Sequence, residues 1–159
     1  MMAFAVAALT AIPVAAQTAP PKVGDKAPVV SVPDLDGHPV AVGLRPGKKA
    51  AIVEFWATWC ELCHELLPKV RAAQAKYGAQ VDFFGVDVTV NDPLAKVRRF
   101  VADNHPPYQT VYDDHGTAVR AFGALATSYV VIIGSDGRIA YIGDGPDQDL
   151  SAELAKVVK

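Results

Sequence analysis

An α/β fold is what this sequence predicts, with a mixed central sheet, helices on both faces and an N-terminal β-hairpin. Three observations carry that expectation. Short apolar runs bounded by Gly, Pro, Asn and Asp alternate with stretches of helical periodicity. Two late runs, 129–133 and 138–142, flank Gly134-Ser135-Asp136-Gly137, the signature of an antiparallel hairpin after the strand–helix alternation of the middle. With 159 residues, 51% of them hydrophobic, the chain can bury a core without staples.

The elements follow in order. Residues 1–16 are almost wholly apolar, and Val14-Ala15-Ala16 before Gln17 resembles a small-residue cleavage site. That run is shorter than the roughly 20 residues of a membrane span. Residues 1–16 are therefore expected to be a signal peptide and 17–159 the folded domain. No Lys or Arg precedes Lys22, which leaves a start further upstream or a weak uncleaved anchor as the alternatives; Pro13 argues against a buried helix. An exported, periplasmic protein follows, free or tethered by this segment, in an oxidising compartment. Residues 18–22 read as a tether.

Ala27 to Val32 and Val40 to Val42 flank Asp34-Leu35-Asp36-Gly37 and read as the hairpin. Arg45-Pro46-Gly47-Lys48 turns the chain into a buried strand from Ala50 to Phe55. Leu62, Leu66, Leu67, Val70, Ala73 and Tyr77 then recur at helical spacing; Gly78 ends that helix and Pro68 should kink it. Val81 to Val88 is the next strand. A helix to about Ala102 opens with Asn91 or Asp92 as N-cap and Pro93 in its first turn. A strand at 109–112, one or two helical turns at 117–122, the late hairpin and a helix from Leu150 to Val158 complete the chain.

Composition excludes several functions. A net charge of −2 with 20% charged residues leaves no basic footprint for nucleic acid. Two cysteines in all exclude a Cys-rich zinc site and a multi-disulfide scaffold. Both lie in Trp59-Cys60-Glu61-Leu62-Cys63, where a strand feeds a Cys-x-x-Cys into the start of a helix. That is the layout of a dithiol redox site, with the first sulfur at a helix N-terminus that favours its thiolate. Cys60 is then expected to be the more exposed, attacking sulfur and Cys63 the resolving one. The alternative, an inert stabilising disulfide, is weak because so small a ring constrains little unfolded-chain entropy.

The string Phe55-Trp56-Ala57-Thr58-Trp59-Cys60 with Cys63 and Pro68 resembles the TlpA/ResA type of thioredoxin-fold proteins, exported membrane-side thiol oxidoreductases. So do Val23-Gly24-Asp25-Lys26-Ala27-Pro28, Asp34-Leu35-Asp36-Gly37 and Ser135-Asp136-Gly137-Arg138-Ile139. The likeness spans about Val23 to Lys159. It implies a thioredoxin-like fold and reduction or oxidation of protein disulfides, in apocytochrome maturation or at copper-site cysteines. It implies as partners exported protein thiols and disulfides and a membrane or periplasmic electron donor, for a monomer with no cofactor beyond a redox-active Cys60–Cys63 disulfide. One residue departs from the pattern. The family carries a cis-proline facing the cysteines, and here Ser128 stands in its place within Ala126-Thr127-Ser128-Tyr129. A cis bond before a non-proline costs about 2.5–4 kcal/mol, so this loop is expected to run trans. The substrate groove would be formed by Trp59, Thr127 and Ser128.

Other candidates surround the pair. Glu54 interrupts an apolar strand where the family has a buried acid beneath the cysteines. It is read either as a proton shuttle to Cys63 with a raised pKa or as an edge carboxylate reaching solvent. Glu61, between the sulfurs, disfavours the thiolate, but a surface charge is worth only about 10–20 mV. His64 is a solvated helix residue or, with Cys60 and Cys63, a ligand of a copper or zinc ion in a metal-handling alternative. His38, His105 and His115 are read as loop residues. Residues 143–149 have a superficial likeness to a calcium loop and more plainly cap the last helix. A peroxidase of the related peroxiredoxin type would need a Pro-x-x-x-Thr/Ser-x-x-Cys pattern, and Val53 and Ala57 stand in its Pro and Thr/Ser places.

Overall fold

The computed structural model describes residues 19–159, so the expected signal peptide lies outside the described residues. Eleven elements follow one another: β1 Val30–Pro33, β2 Pro39–Val42, β3 Ala50–Trp56, α1 Glu61–Tyr77, β4 Val81–Asp87, α2 Leu94–Asn104, β5 Gln109–Tyr112, α3 Thr117–Phe122, β6 Tyr129–Gly134, β7 Ile139–Gly143 and α4 Leu150–Val157. β1 and β2 pair as a separate antiparallel ribbon. The main sheet has the order β5-β4-β3-β6-β7, mixed as expected, with β3, β4 and β5 parallel and β6 and β7 antiparallel.

β3 is the middle strand, so every one of its residues is buried, and alternate residues serve opposite faces. Ala51, Val53 and Phe55 pack with Val32 and Val42 of the ribbon and Phe122 of α3. Ala50 and Ile52 pack with Leu66, Val70 and Ala73 of α1 and Leu154 of α4. Trp56 continues the second face toward Val97 of α2. Among the described residues no helix is long and apolar enough to cross a membrane.

Three ends differ from expectation. α2 begins at Leu94 with Pro93 in the cap position and no side-chain cap, because Asp92 turns its carboxylate elsewhere. It runs on to Asn104 and is closed by His105 in the left-handed region, φ 44°. β4 stops at Asp87, and Val88 already belongs to the following loop. α1 passes through Pro68 unbroken, and Asp149 caps α4 by accepting the N–H of Ala152 at 3.0 Å.

Gly85 has a specific reason to be glycine. A Cβ built there would lie 2.2 to 2.7 Å from three carbons of the Tyr108 ring, which crosses the sheet face at that point. Gly85 is the register partner of Glu54, so the ring lies over the sheet beside that carboxyl. Gly85→Ala is expected to lower stability by about 1–3 kcal/mol in urea unfolding, because the ring must move. An unchanged midpoint would mean that the ring shifts freely.

Candidate active site

The site is built at the corner where β3 becomes α1. Beyond Trp56, the N–H of Cys60 donates to Ala57 O at 3.1 Å and tightens the turn. Cys60 is extended (φ −83°, ψ 101°) and caps α1, its Sγ accepting the N–H of Cys63 at 3.1 Å. Cys60 and Cys63 form a disulfide with Sγ–Sγ 2.10 Å and Cα atoms 5.3 Å apart. Cys60 Sγ stands at the helix N-terminus and meets the Cys63 N–H, so it is the sulfur whose negative charge the helix end favours. Its exposure differs from expectation: Cys60 and Cys63 are equally buried, 4% each. Val97 of α2 closes the corner, with Leu35, Val88 and Phe100 packed around it.

Glu54 sits in the middle of the central strand, 3% exposed, and its Oε2 has no hydrogen-bond partner. Burial pushes its carboxyl up to about 8. An edge carboxylate in contact with solvent is therefore excluded. Register places Glu54 beside Gly85 and then Thr110, and Trp56 beside Asp87 and then Tyr112. In those two adjacent rows Glu54 Oε2, Trp56 Nε1, Asp87 Oδ2 and Thr110 Oγ1 are all buried without a partner. Burial, and further along the neighbouring Asp92, push Asp87 up to about 8 against a bond from the Thr89 N–H. The Tyr108 phenol is held well above its ordinary value by burial and by the Glu54 and Asp87 carboxyls.

A second loop, 88–92, clasps the corner. Asp92, 1% exposed, accepts the Thr58 N–H at 2.5 Å with one oxygen and the Thr58 hydroxyl at 2.5 Å with the other. Trp59 Nε1 donates to Val90 O at 2.7 Å. Sequence reading missed Asp87, Asp92 and Tyr108. Asp92 sits in an Asn-Asp-Pro string that reads as a helix cap, and the visible signal was only that parallel strands deliver their following loops to one edge.

Trp59, half exposed, and Thr127 line a groove of about 540 Å³ with Val88, Val90, Ala124 and Leu125. Ser128 does not line it, contrary to expectation. It is fully buried, its Oγ 3.5 Å from Leu62 O and its carbonyl accepting from Gln148 Nε2 at 3.1 Å. No cis peptide occurs among the described residues, and Ser128 takes φ 59°. A proline, locked near −65°, could not adopt that conformation. His64 is exposed and stacks on Phe100, ring centroids 5.3 Å apart, and Glu61 is exposed. Among the described residues no three His, Cys, Asp or Glu side chains are grouped to hold a metal ion. His38 lies 3.4 Å from the Asp34 carboxylate.

Comparison with known proteins agrees with this geometry. The family described as Redoxin matches residues 22–158. The thiol-disulfide oxidoreductase ResA of Bacillus thuringiensis subsp. konkukian is 25% identical over 139 residues, covering 86% of this chain and 79% of that protein. The methylamine utilization protein MauD of Methylobacillus flagellatus is 29% identical over 121 residues, covering 75% of this chain and 56% of that protein. A solution structure from Neisseria meningitidis, assigned as a thioredoxin, superposes with a TM-score of 0.69 at 27% identity. It covers 84% of this chain and 89% of its own. The fold is thioredoxin-like.

The buried acids set a pH dependence of stability. Glu54 keeps its proton to about pH 8 in the folded protein and loses it near 4.5 when unfolded. Between those values the folded state binds more protons, so stability falls as pH rises, by at most about 1.4 kcal/mol per unit. Asp87 acts with the same sign. Glu54→Gln is expected to flatten the fall between about pH 5 and 8 in urea titrations; a parallel curve would show that Glu54 is ionised when folded.

Proposed function

The chain belongs to the Redoxin family, and we propose that it is an exported thiol:disulfide oxidoreductase that reduces disulfides of other exported proteins. One observation carries this reading: a disulfide closed between Cys60 at the cap of α1 and Cys63 one turn inward, in the strand–helix corner beyond an acid buried in the central strand.

In the reduced protein the Cys60 thiolate attacks a substrate disulfide, forming a mixed disulfide and releasing one substrate thiolate. Glu54 in its ionised form, which becomes abundant as pH approaches 8, takes the proton of Cys63, and the Cys63 thiolate attacks Cys60 Sγ. The second substrate thiolate leaves, the Cys60–Cys63 disulfide closes, and two electrons have passed to the substrate. A carboxyl near 8 suits this transfer, because its affinity for a proton approaches that of a thiol, ordinarily about 8.5. A dithiol donor at the membrane or in the periplasm then restores the reduced form by the same exchange in reverse.

The groove of Val88, Val90, Ala124, Leu125 and Thr127 offers an apolar floor against Trp59, the residue that precedes Cys60. It suits chain segments flanking a disulfide in an incompletely folded protein, such as apocytochrome cysteines or those of a copper site before metal loading. Residues 17–159 make up the working domain in this reading, with 1–16 directing export.

Cys63→Ser is expected to accumulate a mixed disulfide at Cys60 with a disulfide-containing peptide, detected by mass spectrometry, while Cys60→Ser gives none. Trapping at neither position contradicts the reading. Glu54→Gln is expected to slow the resolving step by about 10²-fold or more and to remove its dependence on pH around 8. An unchanged profile rules out the proton-transfer role.

A further inference from the structure

The strongest feature that the exchange reaction leaves unused is the loop 88–92. It holds two of the three residues that precede Cys60's helix: Thr58 through both oxygens of Asp92, and Trp59 through the carbonyl of Val90. Two non-glycine residues of this loop, Thr89 at φ 61° and Asn91 at φ 52°, take the left-handed region. Asparagine adopts that region readily, but for the β-branched Thr89 it is unfavourable and persists where the surroundings over-determine it. Asp92 stands one residue before the cap position of α2, held by Pro93, and its carboxylate makes no hydrogen bond to that helix.

We propose that Asp92 is a positioning residue for Cys60: its carboxylate fixes Thr58 by backbone and hydroxyl, and its negative charge disfavours the Cys60 thiolate. The inference rests on Cys60 being the attacking sulfur. A buried carboxylate next to the corner opposes the pull of the helix N-terminus and biases the pair toward the thiol of a reductant.

The charges that meet this group are few. From α2, Lys96 Nζ stands 3.6 Å from Asp92 Oδ1 and is half exposed, so it is only a partial counter-charge. From β4, Asp87 lies alongside, and its carboxyl, raised to about 8, adds little negative charge at neutral pH. From β5, the Tyr112 hydroxyl donates to the Asp92 carbonyl at 3.1 Å. On the sulfur's own side, Glu61 and His64 of α1 are exposed, and Glu54 of β3 is buried.

Asp92→Asn separates charge from shape. The amide oxygen can accept the Thr58 N–H and the amide nitrogen can donate to a Thr58 hydroxyl turned to accept. In the reduced protein, the pH midpoint of Cys60 alkylation by iodoacetamide, followed by mass spectrometry, should move down by about one unit in Asp92→Asn. Asp92→Ala, which also frees the Thr58 N–H, should in addition slow exchange with a disulfide peptide by about tenfold or more. Native protein supplies a further readout that needs no variant. Coupling is reciprocal, so the Asp92 carboxyl carbon resonance should inflect at the Cys60 midpoint in reduced protein and lack that inflection in oxidised protein. Superimposed alkylation profiles for native and Asp92→Asn protein, or the same resonance curve in both redox states, overturn the inference while leaving the oxidoreductase standing. Native protein that forms no reversible Cys60–Cys63 disulfide overturns both.

Discussion

Parallel pairing of β3 with β4, from Ala50 opposite Val81 to Trp56 opposite Asp87, brings the loops that leave both strands to one edge of the sheet. One loop carries Thr58, Trp59 and Cys60; the other carries Val88, Val90 and Asp92. The Thr58–Asp92 bonds and the Trp59–Val90 bond cross between them and tie the two loops together. The same register sets Glu54 beside Gly85, and the missing Cβ of Gly85 leaves room for the Tyr108 ring across that face. A slip of one residue would turn Glu54 to the opposite face of the sheet, away from the helix that bears the cysteines.

The buried carboxyls divide by whether they are answered. Asp113 is fully used: its two oxygens accept the N–H groups of Thr117 at 2.6 Å and Val119 at 2.9 Å and anchor the start of α3. Asp82 is answered by two bonds from the Arg45 guanidinium, at 2.8 and 2.9 Å. Glu54 and Asp87 each keep an oxygen with no partner, in a region where an unpartnered polar group costs about 1–3 kcal/mol. A structural role would be served better by an apolar residue of similar size. Glu54 and Asp87 therefore carry a cost in stability that Asp113 and Asp82, with both oxygens answered, do not show.

Much of this was legible from the residues. The strand at 109–112 and the helical turns at 117–122 follow from the turn residues Asp113-Asp114-His115-Gly116 between them, and both stand where local chemistry puts them. An acid inside an apolar strand signals burial wherever that strand is central, and β3 is central. What local pattern hides is long-range. Asp92 reads as a cap for α2 because nothing near it in sequence shows that Thr58, 34 residues earlier, offers two donors. The equal burial of Cys60 and Cys63 depends on Val97 from α2 closing over the corner. Ser128 reads as a groove residue by its place in the motif; its left-handed backbone turns it inward, where Gln148 holds its carbonyl.

The central claim is that a pair of sulfurs at a helix cap, between a buried acid and a carboxylate clasp, donates electrons. The reduction potential of Cys60–Cys63, measured by tryptophan fluorescence in dithiothreitol and glutathione buffers, tests it most directly, since Trp56 packs in one cluster with both cysteines and Trp59 immediately precedes Cys60. A reversible two-electron transition near the about −270 mV of thioredoxin is the predicted result. A potential near the about −120 mV of the strong oxidant DsbA, or no reversible transition, would contradict it.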